Sequence, residues 1–212
     1  MDASPASTRL TQQKDAIRLA MRERLSSIAV EDRAVRSRAI SAELLRSPAF
    51  HAASMVMLYM PMRSEVDVIA VALEAFRLGK SVCLPRVDPG RDTMNAIATK
   101  TFDNDSMRPD AMGVRSPDSG ARVDDAQIDL VLVPGVAFDL SGGRLGRGGG
   151  FYDRFLGQLS PKAATIGVCF DWQIVDSIPC DQLDVPVKAV ITDLRRAHRH
   201  GSANLLAPKD TL

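Results

Sequence analysis

Short apolar runs alternate with segments of helical pattern over most of the chain, and this alternation restricts the fold more than any other feature. Apolar runs predict buried strands at 55–60, 81–85, 94–100, 129–134, 164–170 and 187–192, with helices over 66–78 and 151–159. Strands that alternate with helices favour a mostly parallel sheet with helices on both faces. We therefore predict an α/β fold of the Rossmann-like three-layer kind, in which ligands bind outside the carboxyl ends of the strands.

Two helices are predicted ahead of the first strand, and we expect this pair to pack on the sheet. The first begins at Thr8 or Thr11 and ends near residue 28, and the second covers 31–46. On a helical wheel Lys14 lies inside the apolar stripe of the first helix and Arg18 lies on its edge. Lys14 either extends its ammonium to the rim of the protein or joins Arg18 in binding a phosphate group.

The composition is that of one folded domain. The chain has 212 residues, of which 45% are hydrophobic and 25% charged, and its net charge is only +1. We place a single domain at 8–194, with flexible tails at 1–7 and 195–212. Three scattered cysteines, an N-terminus without an apolar signal region, and the lack of any ~20-residue apolar stretch lead us to expect a cytoplasmic protein.

A glycine-rich segment, "PGVAFDLSGGRLGRGGGFYDRFL" at 134–156, follows the most apolar predicted strand. Its seven glycines allow backbone N–H groups to approach an anion, and the helix predicted after it adds further donors. Arg144 and Arg147 supply positive charge in a geometry that suits phosphate. The segment fits neither a Walker A loop nor GxGxxG. It is either an unfamiliar phosphate-binding loop or a solvated surface loop.

Four further side chains flank the expected ligand edge. Asp153 is either a carboxylate favoured at a helix start or a magnesium ligand. Glu65 is either another such helix carboxylate or an acceptor for the amine and amide groups of a heterocyclic substrate. Tyr152 is either a core aromatic residue or a hydroxyl in the pocket, and Tyr59 ends the first strand.

These motifs together resemble the 5-formyltetrahydrofolate cyclo-ligase family, also called 5,10-methenyltetrahydrofolate synthetases. The resemblance runs in order through "KDAIR", "YMPMRSEVD", "GKSVCLPRV", the glycine-rich segment and "VPVKAVITD". It implies a small α/β fold and an ATP-dependent ring closure that yields ADP and phosphate. In this mechanism the γ-phosphoryl group moves onto the formyl oxygen, and the adjacent folate nitrogen attacks the activated carbon.

The resemblance also implies roles for individual residues, with ATP and Mg²⁺ as cofactors. ATP is bound by the basic pair on the first helix and by the glycine-rich loop: Lys14, Arg18, Arg144, Gly146, Arg147, Gly148, Gly149, Gly150, Phe151 and Tyr152. The folate is bound by Tyr59, Glu65, Gly149, Gly150, Phe151 and Tyr152. Arg147 and Tyr152 are the catalytic pair, and Asp153 is the metal ligand.

The chain departs from the family pattern near its last predicted strand. Lys188 stands where we place an acidic residue that helps to hold the metal in some members, so Asp184 and Asp193 are the alternative second carboxylates. Arg115 and Ser116 stand where an acidic residue before proline is common, and we assign them no role.

Two other kinds of protein stay open beside the enzyme. One is a non-catalytic folate- or nucleotide-binding protein of the same fold. The other is an RNA-associated module, which the basic run "RRAHRH" at 195–200 and the arginine-bearing glycine loop suggest, although aromatic residues amount to only 5%. We expect a monomer whose partners are a reduced folate and ATP, with neither nucleic acid nor membrane.

Overall fold

The computed structural model describes residues 5–109, 113–199 and 206. Its α-helices, in chain order, are α1 (Pro5–Ser26), α2 (Val30–Leu45), α3 (Pro48–Ala52), α4 (Ile69–Arg77) and α5 (Phe151–Leu156). Its strands are β1 (Met55–Met57), β2 (Ser81–Asp88), β3 (Thr93–Thr99), β4 (Met107–Pro109), β5 (Arg115–Pro117), β6 (Leu130–Val133), β7 (Ala137–Phe138), β8 (Arg144–Leu145), β9 (Ala164–Val168), β10 (Ala189–Ile191) and β11 (Arg196–His198). No described helix has the length and apolar character that a membrane crossing requires.

Within the described residues, seven strands form one sheet in the order β11-β10-β9-β6-β1-β2-β3. The four inner pairings, from β10 through β2, are parallel, and the two edge strands β11 and β3 pair antiparallel with their neighbours. The predicted α/β fold with a mostly parallel sheet is therefore confirmed. Two short hairpins, β4–β5 and β7–β8, lie outside this sheet.

Alternate residues of the central strands pack into two separate cores. Val56, Leu132 and Ile166 face the core that α2, α3 and α4 cover, whereas Met57 and Val131 face the core that α5 covers. Side chains that alternate between two buried faces explain why the strands have almost unbroken apolar sequences. Helices cover both faces, as the sequence predicts.

The two N-terminal helices pack on different parts of the body. Helix α2 contacts α3 and α4, whereas α1 contacts β7 and buries Met21 in a small core with Leu145 and Ile178. Arg33 of α2 links the two helices, because its guanidinium donates to the carbonyl oxygen of Leu25 in α1 at 3.5 Å and to that of Ile28 in the linker at 2.9 Å. The pair is therefore divided between one face of the sheet and the hairpin beside its carboxyl edge.

The chain leaves β1 in one direction to form β2 and β3, and later returns to the other side of β1 to form β6, β9 and β10. The carboxyl ends of β1 and β6 therefore flank the topological switch point, where open α/β sheets bind their ligands. The loops that follow these two strands are the segments 58–68 and 134–150. Sheet topology thus brings the predicted folate and phosphate segments together.

Several elements differ from the sequence prediction. A short helix that was not predicted, α3, begins at Pro48, and its N-cap Ser47 accepts a hydrogen bond from the Phe50 amide. The helix predicted over 66–78 begins at Ile69, because the Asp67 side chain accepts a hydrogen bond from the Ile69 amide and forms a turn before it. Glu65 consequently lies in a loop and not at a helix start.

The predicted tails are partly ordered. Residues 5–7 belong to α1, and 196–198 form β11, which pairs with β10 and completes the sheet edge. Edge pairing satisfies backbone groups that a free tail would leave to water, so the ordered chain extends beyond our predicted boundary at residue 194. The remaining tail residues 1–4, 200–205 and 207–212 lie outside the described residues.

We expect Gly167→Ala to destabilise the fold by about 1–3 kcal/mol through overpacking. A Cβ atom on Gly167 in β9 would lie 2.5 Å from Cε1 of the buried Phe138 and 3.2 Å from Val187. Urea unfolding of the variant and wild type measures the change. Gly90→Ala is the matched control, because its Cβ would meet only the Asp88 carboxylate, at 3.4 Å. Equal midpoints for wild type and Gly167→Ala would contradict the packing argument.

Candidate active site

A cleft of about 860 Å³ opens at the switch point. Its walls come from the loop after β1, the loop after β6, the start of α5, one side of α1 and the segment 181–184. This volume is within the range of small-molecule and cofactor sites. Every residue that the sequence assigned to ATP, the folate or the metal lines this cleft, including Lys14, Arg18, Glu65 and Arg147, whereas the alternative carboxylate Asp193 does not.

Arg144 connects the glycine-rich loop to α5. It lies in β8 opposite Phe138, and its guanidinium donates to Asp153 Oδ1 at 2.7 Å and lies over the Tyr152 ring. The Arg144 side chain is only 3% exposed. Its predicted role at phosphate stays a prediction, and the structure gives it a second role in fixing Asp153.

Two glycines of the loop adopt backbone conformations that other residues rarely take. Gly148 has a φ angle of 107° and Gly150, the N-cap of α5, has a φ angle of 65°. Helix α5 has only six residues, so its dipole is small and contributes less to anion binding than the sequence led us to expect. The charge needed to bind an anion must therefore come mainly from nearby arginine and lysine side chains.

Lys14 and Arg18 project from α1 into the cleft, as the helical wheel indicates. The Lys14 ammonium donates to Asp184 Oδ2 at 2.6 Å, and its side chain is 15% exposed. Arg18 Nε donates to the carbonyl oxygen of Gly146 at 3.0 Å, and its Nη1 donates to Asp15 at 2.6 Å. The N-terminal helix is therefore joined directly to the glycine-rich loop.

Arg147 and Glu65 face each other from the two loops. Arg147 is half-exposed and donates to Ser64 Oγ at 2.8 Å, while its Nη2 lies 3.7 Å from Glu65 Oε1. Glu65 Oε2 accepts a hydrogen bond from the Met62 amide at 3.0 Å. Burial raises the pKa of Glu65, and the Met62 hydrogen bond and Arg147 only partly oppose this. Its carboxylate is therefore poorly solvated and suited to binding hydrogen-bond donors.

The two tyrosines differ in how their hydroxyl groups are used. Tyr59 donates to the carbonyl oxygen of Val66 at 2.9 Å, so only its ring remains for the cleft. The Tyr152 hydroxyl is buried and has no hydrogen-bond partner within residues 5–109 and 113–199. Burial raises the pKa of both phenols, so both stay neutral donors. Phe151 packs beneath the Arg154 guanidinium.

The candidate second carboxylates are separated by the fold. Asp184 lines the cleft next to Val185, whose amide donates to Asp153 Oδ1 at 3.1 Å. Asp193 lies outside the cleft and accepts a hydrogen bond from Arg36 at 2.5 Å. The described residues contain no cluster of three or more side chains that could hold a metal by themselves.

Lys188 has a structural explanation at the opposite edge of the sheet. Its ammonium donates to the carbonyl oxygens of Pro161 and Ala163, which precede β9. Burial lowers the pKa of Lys188. The residue that seemed to replace a metal carboxylate therefore contacts backbone at the amino ends of the strands, outside the cleft.

Two buried residues that support the glycine-rich segment, Gln173 and Asp139, were not predicted from the sequence. Gln173 is buried, and its Nε2 donates to the carbonyl oxygens of Gly135 and Val136, both at 3.0 Å, while its Oε1 accepts from the Phe170 amide. Asp139 accepts four hydrogen bonds near the tip of the β7–β8 hairpin. The bonds from Gln173 to Gly135 and Val136, and from Ile178 to Asp139, span 37 to 39 residues, so no local sequence pattern indicates them.

A mostly parallel α/β sheet with a cationic, glycine-rich loop at its switch point defines a protein that binds an anionic small molecule. Residues 10–193 match the 5-formyltetrahydrofolate cyclo-ligase family, and the chain belongs to this family.

Individual relatives agree along nearly their whole length. The 5-formyltetrahydrofolate cyclo-ligase of Mus musculus is 25% identical over 195 residues, which cover 88% of this chain and 96% of that protein. The enzyme of the same name from Escherichia coli strain K12 is 27% identical over 175 residues, which cover 81% of this chain and 96% of that protein. The NMR structure of Aquifex aeolicus 5,10-methenyltetrahydrofolate synthetase has a TM-score of 0.77 at 28% identity, covering 94% of this chain and 99% of that one.

We expect Glu65→Gln to be more stable than wild type at pH 7.5, by an amount that shrinks towards pH 4. Burial raises the folded-state pKa of Glu65, so ionising it costs stability as pH rises from the unfolded pKa through the folded one. Below both values the carboxyl is protonated in either state and the cost is absent. Urea unfolding across this pH range measures the difference.

Glu74→Gln is the control with the opposite sign. Its hydrogen bond from Arg77 lowers the pKa of Glu74, so that carboxylate adds stability above its unfolded pKa and loses it in acid. Glu74→Gln should therefore be the less stable protein at neutral pH. A Glu65→Gln stability difference that does not change with pH would contradict the desolvation argument.

Proposed function

We propose that this chain catalyses the ATP-dependent cyclisation of 5-formyltetrahydrofolate to 5,10-methenyltetrahydrofolate, with release of ADP and phosphate. It is a ligase of folate one-carbon metabolism. The observation that carries the proposal is the convergence of α1 and the glycine-rich loop on one cleft. The hydrogen bond from Arg18 to Gly146 joins two segments 128 residues apart at the place where phosphates would bind.

The ATP side of the cleft is the cationic side. We assign the triphosphate to Lys14, Arg18 and Arg147, with the backbone of Gly148 and Gly150 close by. Arginine presents donors in a fixed fork that matches two phosphoryl oxygens, and lysine adds a compact positive charge. Phosphoryl transfer depends mainly on such positioning and on spreading the developing negative charge.

The folate side is the buried, more apolar side. We assign the pterin to the space between Glu65 and Tyr152, with Phe151 and the Tyr59 ring as walls. A buried carboxylate accepts hydrogen bonds from ring N–H and amine groups. The Tyr152 hydroxyl, which has no hydrogen-bond partner in the described part of the chain, supports this assignment, because a buried donor requires an acceptor that a bound substrate would supply.

The proposed reaction needs little covalent help from the protein. The formyl oxygen attacks the γ-phosphorus, the bond to ADP breaks, and the adjacent folate nitrogen then forms a bond to the activated carbon while losing its proton. The oxygen leaves as inorganic phosphate. Arg147 stabilises the transferred charge, and the apolar walls exclude water that would hydrolyse the activated formyl group.

We propose that Asp153 and Asp184 hold Mg²⁺ together with the phosphates. Within the described range, the contacts of Asp153 all end on Oδ1, which leaves Oδ2 for a cation. Mg²⁺ is commonly bound by one or two carboxylates plus phosphate oxygens and water, so these residues fit it without a third protein ligand. When bound, the ion supplies charge neutralisation at the transferring phosphoryl group.

The same proposal covers a cytoplasmic monomer whose partners are small molecules. Two basic residues that suggested RNA binding have acidic partners: Arg195 pairs with Asp171 at 2.9 Å, and Arg196 pairs with Glu43. These pairs engage two of the basic residues on which the RNA-associated alternative rested, and so favour the small-molecule proposal. The non-catalytic binding protein is distinguished by the assay below.

We expect purified protein to raise the absorbance of the methenyl product only when both 5-formyltetrahydrofolate and MgATP are present. Omission of either reactant should abolish the rise, because the formyl oxygen leaves only after phosphorylation. Calorimetry of ATP and folate binding is the parallel measurement. Binding of both ligands without any absorbance change would identify a non-catalytic protein, and the absence of both binding and turnover would refute the proposal.

Replacement of Arg147 or Asp153 by alanine should lower kcat about 10²–10³-fold, the usual effect of removing a charge-stabilising group. Arg147→Ala should leave the circular dichroism spectrum unchanged, because the residue is half-exposed. Arg91→Ala is its matched control, since Arg91 is an exposed arginine paired with Asp88 outside the cleft. Wild-type kcat in both cleft variants would overturn the assigned phosphate and metal roles.

A further inference from the structure

We infer that Asp139 is a positioning residue of the active site, which acts by holding together two segments that line the cleft. It fixes the tip of the β7–β8 hairpin, and it holds the start of the segment that leads to Asp184. The inference rests on the proposed function, because Asp139 itself does not line the cleft and must act through residues that do.

The Asp139 carboxylate has a complete set of donors. Oδ1 accepts hydrogen bonds from the Ser141 amide at 3.0 Å, the Ser141 hydroxyl at 2.6 Å and the Gly143 amide at 2.8 Å, and Oδ2 accepts from the Ile178 amide at 2.9 Å. Burial would raise the pKa of Asp139, but these hydrogen bonds outweigh it and hold the pKa below its ordinary value. The group is therefore a buried carboxylate whose charged form is stabilised by its hydrogen bonds.

The hairpin tip is built around this carboxylate. A Cβ atom on Gly143 would lie 2.2 Å from Asp139 Oδ2, so the position accepts only glycine while the carboxylate is there. Gly142 has a φ angle of 96°, which lets the chain turn back towards β8. The Asp139 amide in turn donates to the carbonyl oxygen of Gly143 at 3.0 Å. Carboxylate and glycines thus define a single turn geometry.

Two lines of contact run from this turn to the cleft. Gly143 directly precedes Arg144, whose guanidinium binds Asp153. Ile178 begins the stretch that reaches Asp184, which binds Lys14. A change at Asp139 therefore displaces a proposed metal ligand and a proposed phosphate ligand together. Small displacements of reacting groups lower catalytic rates steeply, with about 10²-fold for 1 Å as a guide.

The test uses Asp139→Asn and Asp139→Ala in the full chain. The asparagine keeps an acceptor for Ser141 and Gly143 but places an NH₂ group against the Ile178 amide. It should therefore retain the hairpin turn and break the contact between the hairpin and the segment that begins at Ile178. We expect its kcat to fall at least 10-fold at a temperature well below its melting temperature, and its ATP affinity in calorimetry to fall about 3-fold or more. The alanine should be worse in both measurements.

Asp129→Ala separates positioning from general stability. Asp129 also binds two backbone amides, those of Ser54 and Met55 at 2.8 and 2.9 Å, but at the amino end of β1 and away from the cleft. The Asp129→Ala variant should have a lower melting temperature than wild type and the same kcat. Asp139→Asn with kcat and ATP affinity within 2-fold of wild type, or with losses equal to those of Asp129→Ala, would overturn the inference.

ATP affinity keeps this test independent of the proposed reaction. If wild type binds ATP but shows no turnover, the proposed function fails, while a weaker ATP affinity of Asp139→Asn still supports the positioning role. If wild type turns over and Asp139→Asn matches it in both measurements, the positioning role fails and the proposed function stands.

Discussion

The ion pair between the buried Arg144 and the partly buried Asp153 is the contact on which the active-site architecture depends. Their side chains are only 3% and 17% exposed, and the Val185 amide donates to the same carboxylate oxygen. Three segments therefore meet at one atom. A buried ion pair adds little net stability compared with apolar packing. Removing one partner, however, leaves the other charge buried without compensation and destabilises the fold by about 3–5 kcal/mol. The pair thus fixes the geometry of the cleft more than it stabilises the fold.

The sequence predicted the class of fold because the central strands are buried on both faces and read as apolar runs. It did not predict where elements begin and end. Local side-chain contacts decide those limits: Asp67 delays the start of α4, and Ser47 allows Pro48 to open a new helix. Strand β11 was not predicted because its sequence is basic and lacks an apolar strand pattern. It forms because its backbone pairs with the exposed edge of β10.

The sequence predicted which residues line the cleft, but little of the geometry that joins them. Glycines and arginines indicated an anion-binding loop, and the helical wheel placed Lys14 on the apolar side of its helix, where a charged residue is unusual. Its partner Asp184 lies 170 residues away, so only the tertiary fold reveals the pair. For Lys188 the sequence was misleading. Its position in the family pattern suggested a place at the metal site, but its ammonium binds backbone carbonyl oxygens outside the cleft.

Charge balance within the cleft explains how so many cations share it. Lys14 pairs with Asp184, Arg18 with Asp15, and Arg144 with Asp153, while Arg147 lies near Glu65. Each cation is thus held in a defined direction, and mutual repulsion is limited before any ligand arrives. Under the proposed assignments, an incoming triphosphate competes with these carboxylates for the same cations, and a metal ion held by Asp153 and Asp184 would relieve that competition at Arg144 and Lys14. Nucleotide and metal should therefore bind with positive cooperativity, since each relieves the electrostatic cost that opposes the other.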